Sequence, residues 1–185
     1  LILRRLLRLA RHYGASPQVL AASATIANAR EHAEALTGLP FEELKAQVAR
    51  TERELLVLLP KPLDRRGERR RSPLLEAAYL ARRLAEAGLK GLVFAGARKS
   101  AELIARYAAH PLVRPYRAGY TARERRRLEA DLKEGRVRVL VSTSALELGV
   151  DIGELDAVVL VGYPGSTAAF WQRAGRAGRG ERRAL

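Results

Sequence analysis

The sequence predicts an α/β protein, a parallel sheet with helices on both faces, and three observations predict it. From Leu74 onward, short apolar runs alternate with longer amphipathic segments at the spacing of βαβ units. The runs are rich in Val and Leu, as strands covered on both sides require. Hydrophobic residues make up 48% of the 185 residues and aromatics only 5%, so Leu, Val and Ala must fill the core.

Taken in order, residues 1–14 place Leu, Ile and Ala at helical spacing with arginines between them, and Gly14 can end that helix. Residues 18–22 are a short apolar run fit for a buried strand. Asn28 can cap a helix running to Leu36, stopped by Gly38 and Pro40. Residues 44–59 contain two further plausible strands around a charged break at 51–54. Residues 60–73 crowd Lys61, Arg65, Arg66, Arg69, Arg70 and Arg71 between prolines, which reads as an exposed linker or a nucleic-acid contact. A helix over 74–87 then leads to a strand over 91–95, a helix over 99–109 and a short strand over 113–116. Thr121 and Glu124 form a capping-box pattern opening a helix to Glu134. Strands over 137–142 and 156–162 and a last helix over 167–174 complete the order.

Charge narrows the partners. Thirty-four Lys and Arg against 20 Asp and Glu give a net charge of +14, a field that attracts polyanions, nucleic acid first among them. A GC-rich genome would also inflate arginine, and the scarcity of amides is compatible with a heat-adapted source. Absence of cysteine excludes disulfides, thiolate metal sites and a cysteine nucleophile. His12, His32 and His110 are scattered without ligand spacing, so no metal site is expected within this chain. No apolar run approaches the roughly 20 residues that cross a bilayer. The expectation is a soluble cytoplasmic protein with no membrane partner. Lacking any Met, the sequence reads as an internal piece of a longer chain.

Ligands of a parallel α/β sheet collect at the carboxyl ends of its strands. Four segments are expected there: residues 23–25, 96–98, 143–151 and the loop into 167–179. Each alone would pass for an ordinary turn; hydroxyl, acidic and arginine groups on one rim would not. One decoy is rejected. Gly91 and Gly96 followed by Lys99 and Ser100 imitate a phosphate-binding loop, but two residues intervene before the lysine and the residues between the glycines are strand formers.

With these segments in hand, the chain resembles the superfamily 2 helicases of the DEAD/DEAH-box kind. Ser23-Ala24-Thr25 matches their third motif, Val93 through Arg98 the fourth, Arg117-Ala118-Gly119-Tyr120 the phosphate-touching segment after it, Thr143 through Asp151 the fifth, and Gln172 through Arg179 the sixth. All five stand in the expected order. The wording Ser-Ala-Thr-Ile-Ala-Asn at 23–28 and Val-Gly-Tyr-Pro-Gly-Ser at 161–166 is most similar to the MrfA-type DNA repair helicases. The resemblance implies a RecA-like lobe at 74–185, a basic linker at 60–73, and at 1–59 the C-terminal part of a first RecA-like lobe.

It also implies roles. Arg179 and Arg176 would reach the β- and γ-phosphates of ATP, with Arg179 as the arginine finger, and Gln172 would hold the nucleotide or its water. Asp151 would accept from the ribose, with Gly149 and Gly175 in the same nucleotide-binding segments. Thr143, Gly119 and Arg98 would meet phosphates of a single strand, DNA favoured over RNA. Ser23 and Thr25 would couple nucleotide state to grip. ATP and Mg²⁺ would be held mainly by an upstream lobe that this chain lacks, so these residues alone would not hydrolyse ATP.

Plainer roles stand beside these. Arg98 could pair with Glu102, Gly119 could serve a turn, Asp151 could serve a turn or cap, Gln172 could pack or cap, and Ser23 and Thr25 could cap a helix. Trp171 could stack on a base or sit opposite a buried Phe170, and the run Arg123, Arg125, Arg126, Arg127 could be a solvated face. A non-catalytic strand-binding clamp is the competing function, and a different nucleotide-using α/β transferase the third.

Overall fold

The computed structural model describes residues 2–23, 26–44, 53–64, 66, 68–147 and 150–178. They fall into two compact units, residues 1–49 and 50–185.

In the first unit, α1 (Ile2–His12) and α2 (Ala29–Thr37) form where helical spacing predicts them. Arg4 Nη2 donates to the Ala35 carbonyl at 2.7 Å and joins the two. Gly38 takes φ 75°, and its N–H satisfies the Glu34 carbonyl at 2.8 Å, so the left-handed turn closes α2. Asn28 holds the capping position, yet its side chain makes no capping bond. Residues 18–22, expected as a buried strand, are not one: the segment is single and mostly exposed. An apolar run becomes a strand only beside another strand that pairs its backbone groups, and no described residue does so. Leu55–Leu59 fails for the same reason and is exposed throughout; the companion run at 44–50 lies largely outside the described residues.

The second unit contains the predicted sheet. Its strands β1 (Gly91–Phe94), β2 (Val113–Pro115), β3 (Val139–Ser142) and β4 (Ala157–Leu160) lie in the order β2-β3-β1-β4, all parallel. Successive side chains point to opposite faces, so the sheet has two cores. Val93, Val139 and Val141 face Ala77, Ala81 and Ala85 of α3 (Pro73–Glu86) and Ala101, Ile104 and Ala108 of α4 (Arg98–Ala108). The small alanines let both helices lie close to the strands. Leu92, Phe94 and Leu140 face Leu132 of α5 (Ala122–Lys133), Leu146, Ile152 and Leu155. Helix α6 (Thr167–Ala174) follows β4.

Residues 60–73, expected as an exposed connector, belong to the second unit and are exposed for the most part. The stretch folds back on itself. Pro62 bridges Arg70 antiparallel, and Asp64 accepts from the N–H groups of Glu68 and Arg69, each at 3.0 Å.

The capping box at α5 is complete. Glu124 N–H donates to the Thr121 hydroxyl oxygen at 3.2 Å, and Thr121 N–H donates to Glu124 Oε2 at 2.8 Å. The Thr121 hydroxyl first, and its N–H second, hold the Glu124 carboxyl below the ordinary carboxylate value. A lowered folded value means the contribution is present above the usual carboxylate range and fades as pH falls through that lowered value. Thr121→Ala is expected to reduce unfolding free energy by about 1 kcal/mol at neutral pH. A urea titration with an unchanged midpoint would refute that.

Candidate nucleic-acid and nucleotide interface

Three of the expected strand contacts stand side by side. The sheet order places the loops after β2, β3 and β1 next to one another at the carboxyl edge, carrying Gly119, Thr143 and Arg98 respectively. Arg98 opens α4 and is exposed. Glu102, its alternative partner, is taken by Arg117 Nη1 at 2.6 Å. Gly119 is exposed, has no left-handed φ, and a Cβ there would meet nothing within 4 Å. Neither backbone conformation nor internal packing demands glycine at that position. Thr143 is half-buried ahead of a 3-10 turn (Ser144–Leu146) and makes no capping bond with its hydroxyl.

Arg117 is fixed between two partners. Its guanidinium lies 4.7 Å from the Tyr120 ring centroid and pairs with Glu102. Tyr120 first, then Glu102, raise its pKa further above the ordinary arginine value. Beneath it Tyr116 is buried and donates its hydroxyl to Glu129 Oε1 at 2.6 Å. Burial first, and that carboxylate second, push the phenol up to about 12. The arginine run of α5 is solvated at Arg123, Arg126 and Arg127, whereas Arg125 is half-buried.

The nucleotide candidates form a second cluster, on the crossover from β3 to β4 and on the arginine segment packed against it. Helix α6 follows β4 and packs against it. Gly178 N–H reaches the Leu155 carbonyl at 3.2 Å, just ahead of β4. Asp151 Oδ2 accepts from Lys133 Nζ at 2.7 Å, and the Lys133 carbonyl accepts from Lys90 Nζ, just ahead of β1, at 2.7 Å. Asp151 and Gly178 are thus tied to residues near the starts of β1 and β4, whereas Arg173 and Arg176 hold Glu147 on the loop after β3.

Within that second cluster Arg176 and Asp151 are brought together, by a route the sequence did not suggest. Arg176 is only 5% exposed. It donates to the Glu147 carbonyl from Nε at 3.2 Å and Nη2 at 2.8 Å, and to the Val150 carbonyl from Nη1 at 2.7 Å. A guanidinium expected at a phosphate is turned inward here and braces the loop ahead of Asp151. Asp151 itself is exposed, and its Oδ1 accepts from Gly153 N–H at 3.1 Å, the turn role weighed above. Gly175 has a packing reason to be glycine: a Cβ there would sit 2.7 Å from the Trp171 carbonyl oxygen. Gln172 is half-buried, Phe170 is half-buried and Trp171 is exposed. Arg179, Gly149 and Thr25 lie outside the described residues; Ser23, in the first unit, is exposed.

Two residues escaped sequence reasoning. Glu147 Oε2 accepts from Arg173 Nε at 2.9 Å and pairs with its Nη2 at 2.9 Å, with the two side chains only 14% and 15% exposed. The signal was present: a lone carboxylate between Leu146 and Leu148 must find a cation or stay hydrated. Its partner, 26 residues away, was not legible.

The helicase conserved C-terminal domain matches residues 74–181. This chain belongs to the helicases. Its lobe is of the superfamily 2, MrfA-like kind: the helicase MrfA bound to DNA and AMPPNP superposes with a TM-score of 0.80 at 38% identity, over 100% of this chain and 27% of that one. YprA of Bacillus subtilis, an uncharacterized ATP-dependent helicase, is 41% identical over 96% of this chain and 25% of its own length. The ATP-dependent helicase hrq1 of Schizosaccharomyces pombe is 32% identical over 100% of this chain and 19% of its own. The helicase lobe described here thus spans a quarter or less of these curated relatives. Among its described residues no helix is long and apolar enough to cross a membrane, and no three carboxylates or imidazoles group as a metal site would need.

Proposed function

We propose that this chain is the strand-gripping and nucleotide-sensing lobe of an ATP-driven DNA helicase or translocase. The observation that carries the proposal is the likeness of the whole of this chain to about a quarter of MrfA in a complex with DNA and AMPPNP. Local chemistry agrees with it. Thr143, Gly119 and Arg98 offer a hydroxyl, an uncovered backbone and an exposed guanidinium on adjacent loops, groups suited to strand phosphates. Asp151, Gln172 and the arginine segment are the nucleotide-side groups, and Arg173 and Arg176 hold Glu147 on the loop that starts at Thr143. DNA is proposed over RNA on the MrfA likeness alone, and DNA repair on the same ground.

The described residues bring together no three ligands that magnesium would need, and we assign it, with most of the ATP contacts, to a preceding lobe that residues 1–59 would complete. Residues 60–73 are the proposed junction. Arg179 is the proposed arginine finger, with Ser23 and Thr25 linking nucleotide state to strand grip. Closure that needs both ligands would couple hydrolysis to movement by population shift.

The test uses the full-length protein. Single-stranded DNA is expected to stimulate its ATP hydrolysis, and AMPPNP is expected to change its affinity for a labelled single strand. Strand binding indifferent to nucleotide, with no hydrolysis, would leave the non-catalytic clamp in its place.

A further inference from the structure

We propose that the Glu147–Arg173 pair is the positioning contact that makes the strand-side loop and the arginine segment move as one body. The inference rests on the function proposed above and names the contact that carries its coupling.

Glu147 lies between Thr143 and Asp151 on the crossover from β3 to β4. One residue there holds two arginines of the last segment by different groups. Its carboxylate takes Arg173 and its carbonyl takes Arg176. The Arg173 guanidinium also lies 5.3 Å from the ring centroid of Phe94, the last residue of β1, whose following loop carries Arg98. Arg173 thereby touches the end of one strand and the loop that leaves its neighbour. The pair is largely withdrawn from water, with exposures of 15% and 14%. Burying two charges is a poor way to gain stability, because apolar residues of similar volume do as well or better. It is a good way to fix register, since two N–H groups of a planar fork must meet one carboxylate oxygen.

A displacement of the arginine segment on nucleotide binding therefore drags the loop that starts at Thr143, and a pull on that loop is returned. Neither Glu147 nor Arg173 needs to touch either ligand.

The test is a coupling measurement on the full-length protein. Affinity for a labelled single-stranded DNA is measured with and without AMPPNP, beside thermal melting of each variant. Couplings between sites are commonly about 5–150-fold. Glu147→Gln and Arg173→Gln are each expected to bring the wild-type ratio close to one. The double variant is expected to do no more, because the two act as a unit. Arg173→Lys keeps the charge without the fork and is expected to retain part of the ratio, which keeps the test decisive if a Gln variant folds poorly. Wild-type ratios in the folded variants, with melting temperature alone reduced, would make the pair merely structural and overturn the proposal. A wild-type protein that shows no ratio at all would instead overturn the functional reading, and this inference with it.

Discussion

Arg179→Ala in the full-length protein is expected to lower ATP turnover by roughly 10³–10⁵-fold while changing single-strand affinity only modestly. The magnitude follows from what a finger does. Phosphoryl transfer spreads negative charge over the equatorial oxygens, and a preorganised guanidinium stabilises that charge more in the transition state than in bound ATP. Arg179 directly follows Gly178, whose N–H is tied to the Leu155 carbonyl, so the chain leading to it has a fixed anchor. Strand phosphates are assigned to Thr143, Gly119 and Arg98 rather than to Arg179, which is why binding should survive. Turnover within tenfold of wild type would remove the finger assignment.

Arg176→Ala is expected to behave differently, lowering both stability and turnover. Three donated hydrogen bonds disappear, and the carbonyls of Glu147 and Val150 lose their partner in a buried setting. Bonds to a charged donor, and the cost of orphaned buried acceptors, put the loss at roughly 2–4 kcal/mol. Turnover should fall because the loop leading to Asp151 loses its brace. Lysine cannot restore it, since a single ammonium lacks the fork that spans two carbonyls. Denaturant unfolding and ATP turnover measured on the same preparation decide the matter. Full stability with abolished turnover would mean that Arg176 leaves its carbonyls and acts on phosphate, as the family resemblance implied.

Most of the second unit was legible because its signals are local. Alternation of Leu92, Val93 and Phe94 marks a strand buried on both faces, the spacing of Ala77, Ala81 and Ala85 marks one helical face, and Thr121 with Glu124 announces a helix start. Residues 18–22 and Leu55–Leu59 misled because a strand is a property of a pair, and their apolar character says nothing about who pairs with them. The motifs placed the candidate residues in order along the chain, but order cannot tell that Arg176 turns onto the carbonyls of Glu147 and Val150. Nor does composition tell which arginines face inward. Arg176 and Arg173 carry the same charge as solvated Arg126, and only tertiary contact separates them.

The sheet has one more consequence. Hydrogen-bonded strands sit about 4.8 Å apart, so the outermost of the three loops after β2, β3 and β1 are separated by about 10 Å of rigid ladder. A polymer lying across them meets a rack of fixed pitch. Any advance along it has to come from carrying the whole rack forward, since the teeth cannot be spread.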